Sequence, residues 1–276
     1  MKPIPPRSKT AFSRTDLLAL VVTSSVLGGL FLKADSKMSI QSEVTQCLNH
    51  MRQLARAWMT YAGDHEDYLP GNVDIGSAHG QVWVAGNVPT MTNVAVLLDP
   101  AYSQLGPYTR DPDLYRCPSD RSTFTWDGVT YHQLRSVAMN HAVGTKLDGI
   151  SPTDGPWLDG NHSHTANRPW RTFAKLSELV VLQPSEHFVF IDEDEFSIND
   201  GTLALSMHDR LEWLDWPGTR HNSAAAMSFA AGNAALHRWV DERTRVRDGN
   251  VRRSLQPGNP DILWLQSRTT IRVKPE

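Results

Sequence analysis

Three groups of residues in this 276-residue chain are of types that do chemistry. Cys47 and Cys117 are its two cysteines. Two thiols are too few for a four-thiolate zinc site or a disulfide-dense framework. They either join in one disulfide, pinning their two segments together in an oxidising compartment, or stand as two buried thiols. The run Asp192, Glu193, Asp194 and Glu195, with Asp200 behind it, is the sharpest concentration of carboxylates. Oxygen donors so spaced can hold calcium, although the spacing is not that of an EF-hand; a solvated acidic loop is the other reading. No cofactor besides calcium is expected. His208, Asp209, His221 and His237 form the third group, open to acid-base or transition-metal roles, with structural hydrogen bonding as the alternative for His221. Trp157, Trp170, Trp213 and Trp216 lie in polar contexts, where a ring either stacks on a sugar or packs in the interior. Neither Gly-x-Ser-x-Gly nor His-Glu-x-x-His occurs, so no catalytic residue is assigned and an enzyme is not expected.

These residues need elements to place them. Lys and Arg number 27 against 30 Asp and Glu, a net charge of -3, which leaves no bulk electrostatic reason to expect nucleic acid as a partner. Hydrophobicity is segregated instead. Residues 17–32 carry no charge, and extended back to Phe12 the segment has the helical length of a bilayer core, ~30 Å. Lys2, Arg7 and Lys9 precede it with no acid among them, a bias that keeps the N-terminus cytoplasmic. A cleaved secretory signal and a plain uncleaved anchor are the competing readings.

Downstream, Ile40, Val44, Cys47, Leu48, Met51, Leu54, Trp58 and Tyr61 recur mostly at steps of three and four, the stripe of an amphipathic helix. No proline falls between Pro6 and Pro70, so the two segments are expected to form one helix. Beyond Pro70, short apolar runs alternate with Gly, Pro, Asn and Asp. Strands are expected at 82–84, 136–139, 188–191, 224–229 and 234–240, with a hairpin turn at Ala231-Gly232-Asn233. Met227 and Phe229 alternate with Ala226 and Ser228, as one buried sheet face requires. The expected fold is α+β: a long N-terminal helix, half membrane and half amphipathic, packed on a small antiparallel sheet with long loops, including an insertion loop over 144–168.

At the head of the apolar segment the chain reads Ala11, then Phe12-Ser13-Arg14-Thr15-Asp16-Leu17-Leu18. This resembles the processing site of type IV pilins and type II secretion pseudopilins. Further blocks narrow the resemblance to the pseudopilin-like proteins of planctomycetes and verrucomicrobia. They are Gln46-Cys47-Leu48-Asn49 leading to Tyr68-Leu69-Pro70, then Tyr115-Arg116-Cys117-Pro118-Ser119-Asp120, Ser136 to Asn140, Phe190-Ile191-Asp192-Glu193, Ser197-Ile198-Asn199-Asp200-Gly201, and Arg220-His221-Asn222-Ser223. The family's C-terminal His-x9-Asp-Gly block is degenerate: His221 and Gly232 are kept, while Ala231 stands where the Asp belongs.

The resemblance implies a leader over 1–11, a membrane and assembly helix over 12–33, an amphipathic helix over 34–69 and a periplasmic head over 70–276. It implies cleavage by a prepilin peptidase between Ala11 and Phe12, and N-methylation of Phe12. Asp16 would take the place of the family's glutamate, pairing with the amine of a neighbouring subunit's Phe12, since a carboxylate at that depth is costly unless paired. Calcium in a sheet loop, with Asp192, Glu193, Asp194 and Asp200 as candidate ligands, is also in the family's range. Partners would be other pilin-like subunits and the inner membrane. The expected function is structural, in a secretion or pilus filament; the alternative is a membrane-anchored extracytoplasmic binding protein, for instance for polysaccharide.

Overall fold

The computed structural model describes residues 41–74, 81–86, 92–163, 169–245 and 253–273. The chain divides into two compact units, Met1–Glu43 and Val44–Glu276, and nearly all described residues belong to the second.

Helix α1 covers residues 41–64. Cys47, Met51, Leu54, Ala55, Ala57, Trp58, Tyr61 and Ala62 are its buried apolar residues, most of them at the three-and-four spacing read from the sequence. It ends where Glu66 and Asp67 turn to φ +53° and +73°, with the Asp67 N–H donating to the Ala62 carbonyl, a left-handed termination. Short helices follow: α2 (Ala95–Leu98), α3 (Gly106–Thr109), α4 (Glu242–Arg245) and α5 (Pro260–Gln266).

The strands are β1 (Thr123–Trp126), β2 (Val129–His132), β3 (Val137–Asn140), β4 (Phe188–Asp192), β5 (Thr202–Leu203), β6 (Glu212–Trp213), β7 (Ala224–Phe229), β8 (Ala234–Arg238) and β9 (Ser254–Leu255). β1–β2 and β6–β9 form two-stranded ribbons, and the main sheet runs β5-β3-β4-β7-β8. β7 and β8 pair from Ala224↔Arg238 to Ser228↔Ala234 around the expected turn. In β4 the register shifts between Phe188 and Phe190, leaving Val189 as an extra residue.

Two cores lie against this sheet. Val137, Met139, Val189, Phe190 and Ala226 join the α1 side chains with Trp83, Leu105 and Tyr115. Ala138, Phe188, Ile191, Ala225, Met227 and Phe229 join Trp213, Trp216, Trp239 and the α5 residues Ile262 and Leu265. α5 begins on a proper cap, with Asn259 Oδ1 accepting the N–H groups of Asp261 and Ile262 and Pro260 in its first turn.

The expected fold needs four corrections. The sheet is mixed, because β3 pairs with β5 in parallel. β4 runs against β3, so the segment that returns after β4 runs with β3 and fills its free side. β7 is buried along its whole length; it is a central strand covered on both faces, and the alternation of Met227 and Phe229 with smaller residues marks the two cores instead of one core and solvent. The run 82–84 is no strand. Val82, Trp83 and Val84 are buried, and their backbone is satisfied by single bonds to two distant segments: Trp83 N–H donates to Gly71 O, and Val82 O and Trp83 O accept from the Gln104 and Leu105 amides. Finally, no helix among the described residues is long and apolar enough to cross a membrane. The expected membrane half, 12–33, lies outside the described residues, so the single helix of two halves reduces to α1 in what is described. The segment 144–163 is tied into the body by the bridges Gly71↔Thr145 and Thr145↔Pro152 and by the buried Leu158.

Candidate functional site

The processing residues Ala11 and Phe12 and the assembly residue Asp16 lie outside the described residues. The four carboxylates named as calcium ligands are described, and they do not converge. Asp192 Oδ1 accepts from Ser136 Oγ at 2.8 Å, Glu193 Oε1 from Ser197 Oγ at 2.8 Å, Asp194 Oδ1 from the Phe196 amide at 3.0 Å and Asp200 Oδ1 from the Thr202 amide at 2.7 Å. Asp192 and Asp200 belong to two separate electrostatic sites.

The first is centred on Arg220, whose side chain is 3% exposed. Its Nη1 donates to Asp192 Oδ2 at 3.0 Å and to Glu193 O at 2.7 Å, its Nη2 to Glu195 Oε2 at 2.8 Å, and its Nε lies 3.6 Å from Asp120 Oδ1. Burial alone would lower the Arg220 pKa, and the three carboxylates more than offset it. Burial pushes Asp192 up to about 7, against the pull of Arg220. Gly218 is required here, since a Cβ would stand 2.4 Å from Asp192 Oδ2 and 2.9 Å from Arg220 Nη1. Arg220 belongs to a block quoted above, yet its own role had no signal: the pairing spans 28 residues of sequence.

The second is a cleft lined by Asp74, Asn199, Asp200, Thr202, Asp215 and Trp157, with a cavity of about 190 Å³. Burial, then a hydrogen bond with and the charge of the Asp74 carboxyl, hold Asp200 well above the ordinary carboxylate range. Burial likewise raises Asp215 to about 7, while its Oδ2 accepts the Ala204 amide at 2.6 Å. Asp74 in turn meets His162 Nε2 at 2.7 Å. Such a set shares protons, or accepts hydrogen bonds from a small polyhydroxyl or cationic group. Asp74 and Asp215 are isolated acids in the sequence, and nothing there flagged them.

Between α1 and the sheet a third cluster forms. Cys47 and Cys117 are free thiols, and their Sγ atoms and the His221 Nε2 all lie within 4.8 Å of one another. Cys117 Sγ is 3.2 Å from His221 Nε2. A hydrogen bond from Cys47, with lesser help from His221 and the Ser119 amide, outweighs burial and lowers Cys117 to about 5, while the same contact raises Cys47. Burial works against a charged His221, but Cys117 holds its pKa above the ordinary value. The two cysteines thus adjoin without being bonded, and the partner that joins them is His221.

The remaining candidates stand apart. His237 stacks on Trp264 with ring centroids 3.4 Å apart, and burial lowers it to about 4. His208 and Asp209 lie in an exposed turn. Gly232 sits at the far end of β7 from His221, at φ +83° with a Cβ position 2.8 Å from Met59 of α1, so it seats the hairpin on the helix. Trp213 and Trp216 are core residues at 0% and 6% exposure and offer no face to a sugar. Trp170 is half-buried under the Arg272 guanidinium, and Trp157 lines the cleft between Arg253 and His162.

No protein-family model matches this chain, and neither a curated protein nor a solved structure does.

Proposed function

We propose that this chain is a structural, pilin-like subunit, held in the inner membrane by residues 12–33 with its N-terminus cytoplasmic and its body periplasmic, and assembled with other pilin-like subunits after maturation by a prepilin peptidase. The observation that carries the reading is a division of apolar surface along the N-terminal part. The stripe of α1 is spent within its own body, on the core it shares with β3, β4 and β7, whereas residues 17–32, uncharged all round, lie upstream of that body in the chain. A continuous apolar segment of this kind needs lipid or like segments around it. The reading involves packing and ion pairing at Asp16, with no covalent chemistry beyond maturation. Mass spectrometry of the protein from its native membrane tests it: the expected N-terminus is N-methylated Phe12, and an intact Met1 start in cells with active prepilin peptidase overturns it.

The carboxylate cleft favours a second reading, a membrane-anchored binding protein for a polyhydroxyl ligand such as a polysaccharide end. Asp16→Ala separates the two. Filament incorporation is lost in the first case, and membrane retention persists in both.

A further inference from the structure

We infer that Cys47, Cys117 and His221 form a binding site for one soft, closed-shell metal ion, Cu(I) or Zn(II). Three segments far apart in sequence bring one donor each to the same point: α1 supplies Cys47, the turn after the 3₁₀ helix Pro112–Tyr115 supplies Cys117, and the turn before β7 supplies His221. All three donor atoms lie within 4.8 Å of one another, the only such grouping of three among the described residues. Ligands about 2.1–2.3 Å from a common ion stand at separations of this order. The donors are two sulfurs and one imidazole nitrogen, a set that selects Cu(I) or Zn(II) over calcium or magnesium.

The site is also built and dry. Cys47 and Cys117 are each 1% exposed and His221 5%. The Cys117 amide donates to Ser136 Oγ at 2.9 Å, and that hydroxyl donates to Asp192, so the turn is fixed to the sheet. His50, one turn along α1 from Cys47, contacts the Arg116 carbonyl through Nδ1 at 3.2 Å and clamps the helix to the same turn. His221 is held by the Ser223 amide bonding back to Thr219 O at 3.1 Å.

Charge favours the exchange. The two thiols and the imidazole hold two displaceable protons between them; replacing these by Zn(II) leaves the buried charge unchanged, and replacing them by Cu(I) adds a single negative charge beside Arg220. Arg220 is close enough to Cys117 for the two to interact electrostatically. A disulfide would use both sulfurs and leave the imidazole without a purpose at this point. The ion would cross-link α1 to the sheet, because its ligands come from both.

The test uses the full-length protein in detergent, reduced and stripped of metal. It is titrated with Cu(I) against a chromophoric Cu(I) chelator, and separately with Zn(II) against a Zn(II) indicator, with Ca(II) as the hard-ion control. The expected result is one equivalent of Cu(I) or Zn(II) and none of Ca(II), with Tm rising about 5–10 °C when free metal exceeds Kd roughly 100-fold. Cys47→Ser and Cys117→Ser should each weaken binding by about 100-fold or more, and His221→Ala by about 10-fold or more. Far-UV circular dichroism of the metal-free variants controls for folding. Loading the wild type with Co(II) needs no substitution, and an intense sulfur-to-cobalt charge-transfer band reads thiolate ligation directly. The inference is overturned if the reduced wild type takes up neither ion, if the three substitutions leave uptake unchanged, or if protein taken from the cell envelope carries Cys47 and Cys117 joined in a disulfide. None of these outcomes bears on the N-terminus of the mature chain, so the site and the pilin-like reading stand or fall separately.

Discussion

Asp192 and Asp200 stand eight positions apart in one acidic stretch and end in opposite electrostatic settings. Asp192 meets a buried guanidinium that three carboxylates share, whereas Asp200 meets another carboxyl, that of Asp74, inside a cleft. The difference shows that a run of acids has no single character. The strand end at Asp192 turns its side chain toward the turn carrying Gly218 and Arg220, and the loop up to β5 carries Asp200 to the far side of β3. One region is held together by charge; the other is held despite it.

Opposite responses to substitution follow. Arg220→Met should have the largest effect, a loss of about 3–5 kcal/mol or outright failure to fold, because Asp192, Asp120 and Glu195 would remain without their cation; urea unfolding followed by circular dichroism measures it. A loss below about 1 kcal/mol would mean that the carboxylates relax into water and that the comparison is empty. Gly218→Ala should cost roughly 1–3 kcal/mol in the same assay, since its Cβ must displace the Asp192 carboxylate from Arg220.

Asp200→Asn should act with the other sign. The folded state holds Asp200 protonated at pH values where the unfolded chain has already released that proton. The stabilisation from this proton is therefore full below the unfolded carboxylate pKa and is lost as pH rises through the raised folded value. The asparagine amide can donate to Asp74 without titrating. The variant should match the wild type near pH 4 and exceed it by about 1–2 kcal/mol near pH 8; a variant less stable than the wild type near pH 8 would show that the cleft is not strained by like charge. His162→Ala should be the smallest change, at most about 0.5 kcal/mol across the same pH series, because both members of its pair with Asp74 are partly solvated.

Much of the scaffold was legible from local pattern. The α1 stripe was visible because helical period and burial agree there, and β7 with its turn was visible because a small, apolar run ends at a glycine with positive φ. Pairings that depend on distant segments left no local trace. Thr202–Leu203 is too short to signal a strand, so the parallel edge of the sheet could not be read. The second core depends on α5, a seven-residue helix whose one local mark is the cap signal Asn259-Pro260-Asp261, and without α5 the pattern of β7 leaves one face to solvent. Val82 to Val84 read as a strand because buried irregular segments and buried strands share an apolar composition. Cys47 and Cys117 drew notice as a candidate pair and His221 in a separate group, but the meeting of all three at one point depends on how three separate elements pack, which spacing cannot express. Asp74 and Asp215 reach the cleft in the same way.

The surplus residue at Val189 resets the alternation of β4 partway along its length. In an unbroken strand Phe188 and Phe190 would both point the same way and crowd one layer while starving the other. With the phase reset, one ring goes to the tryptophan layer and the next to the helix layer, so the four residues Phe188 to Ile191 stock two interiors. Removing that single residue would turn one end of the strand over relative to the other and send a bulky ring into the wrong interior.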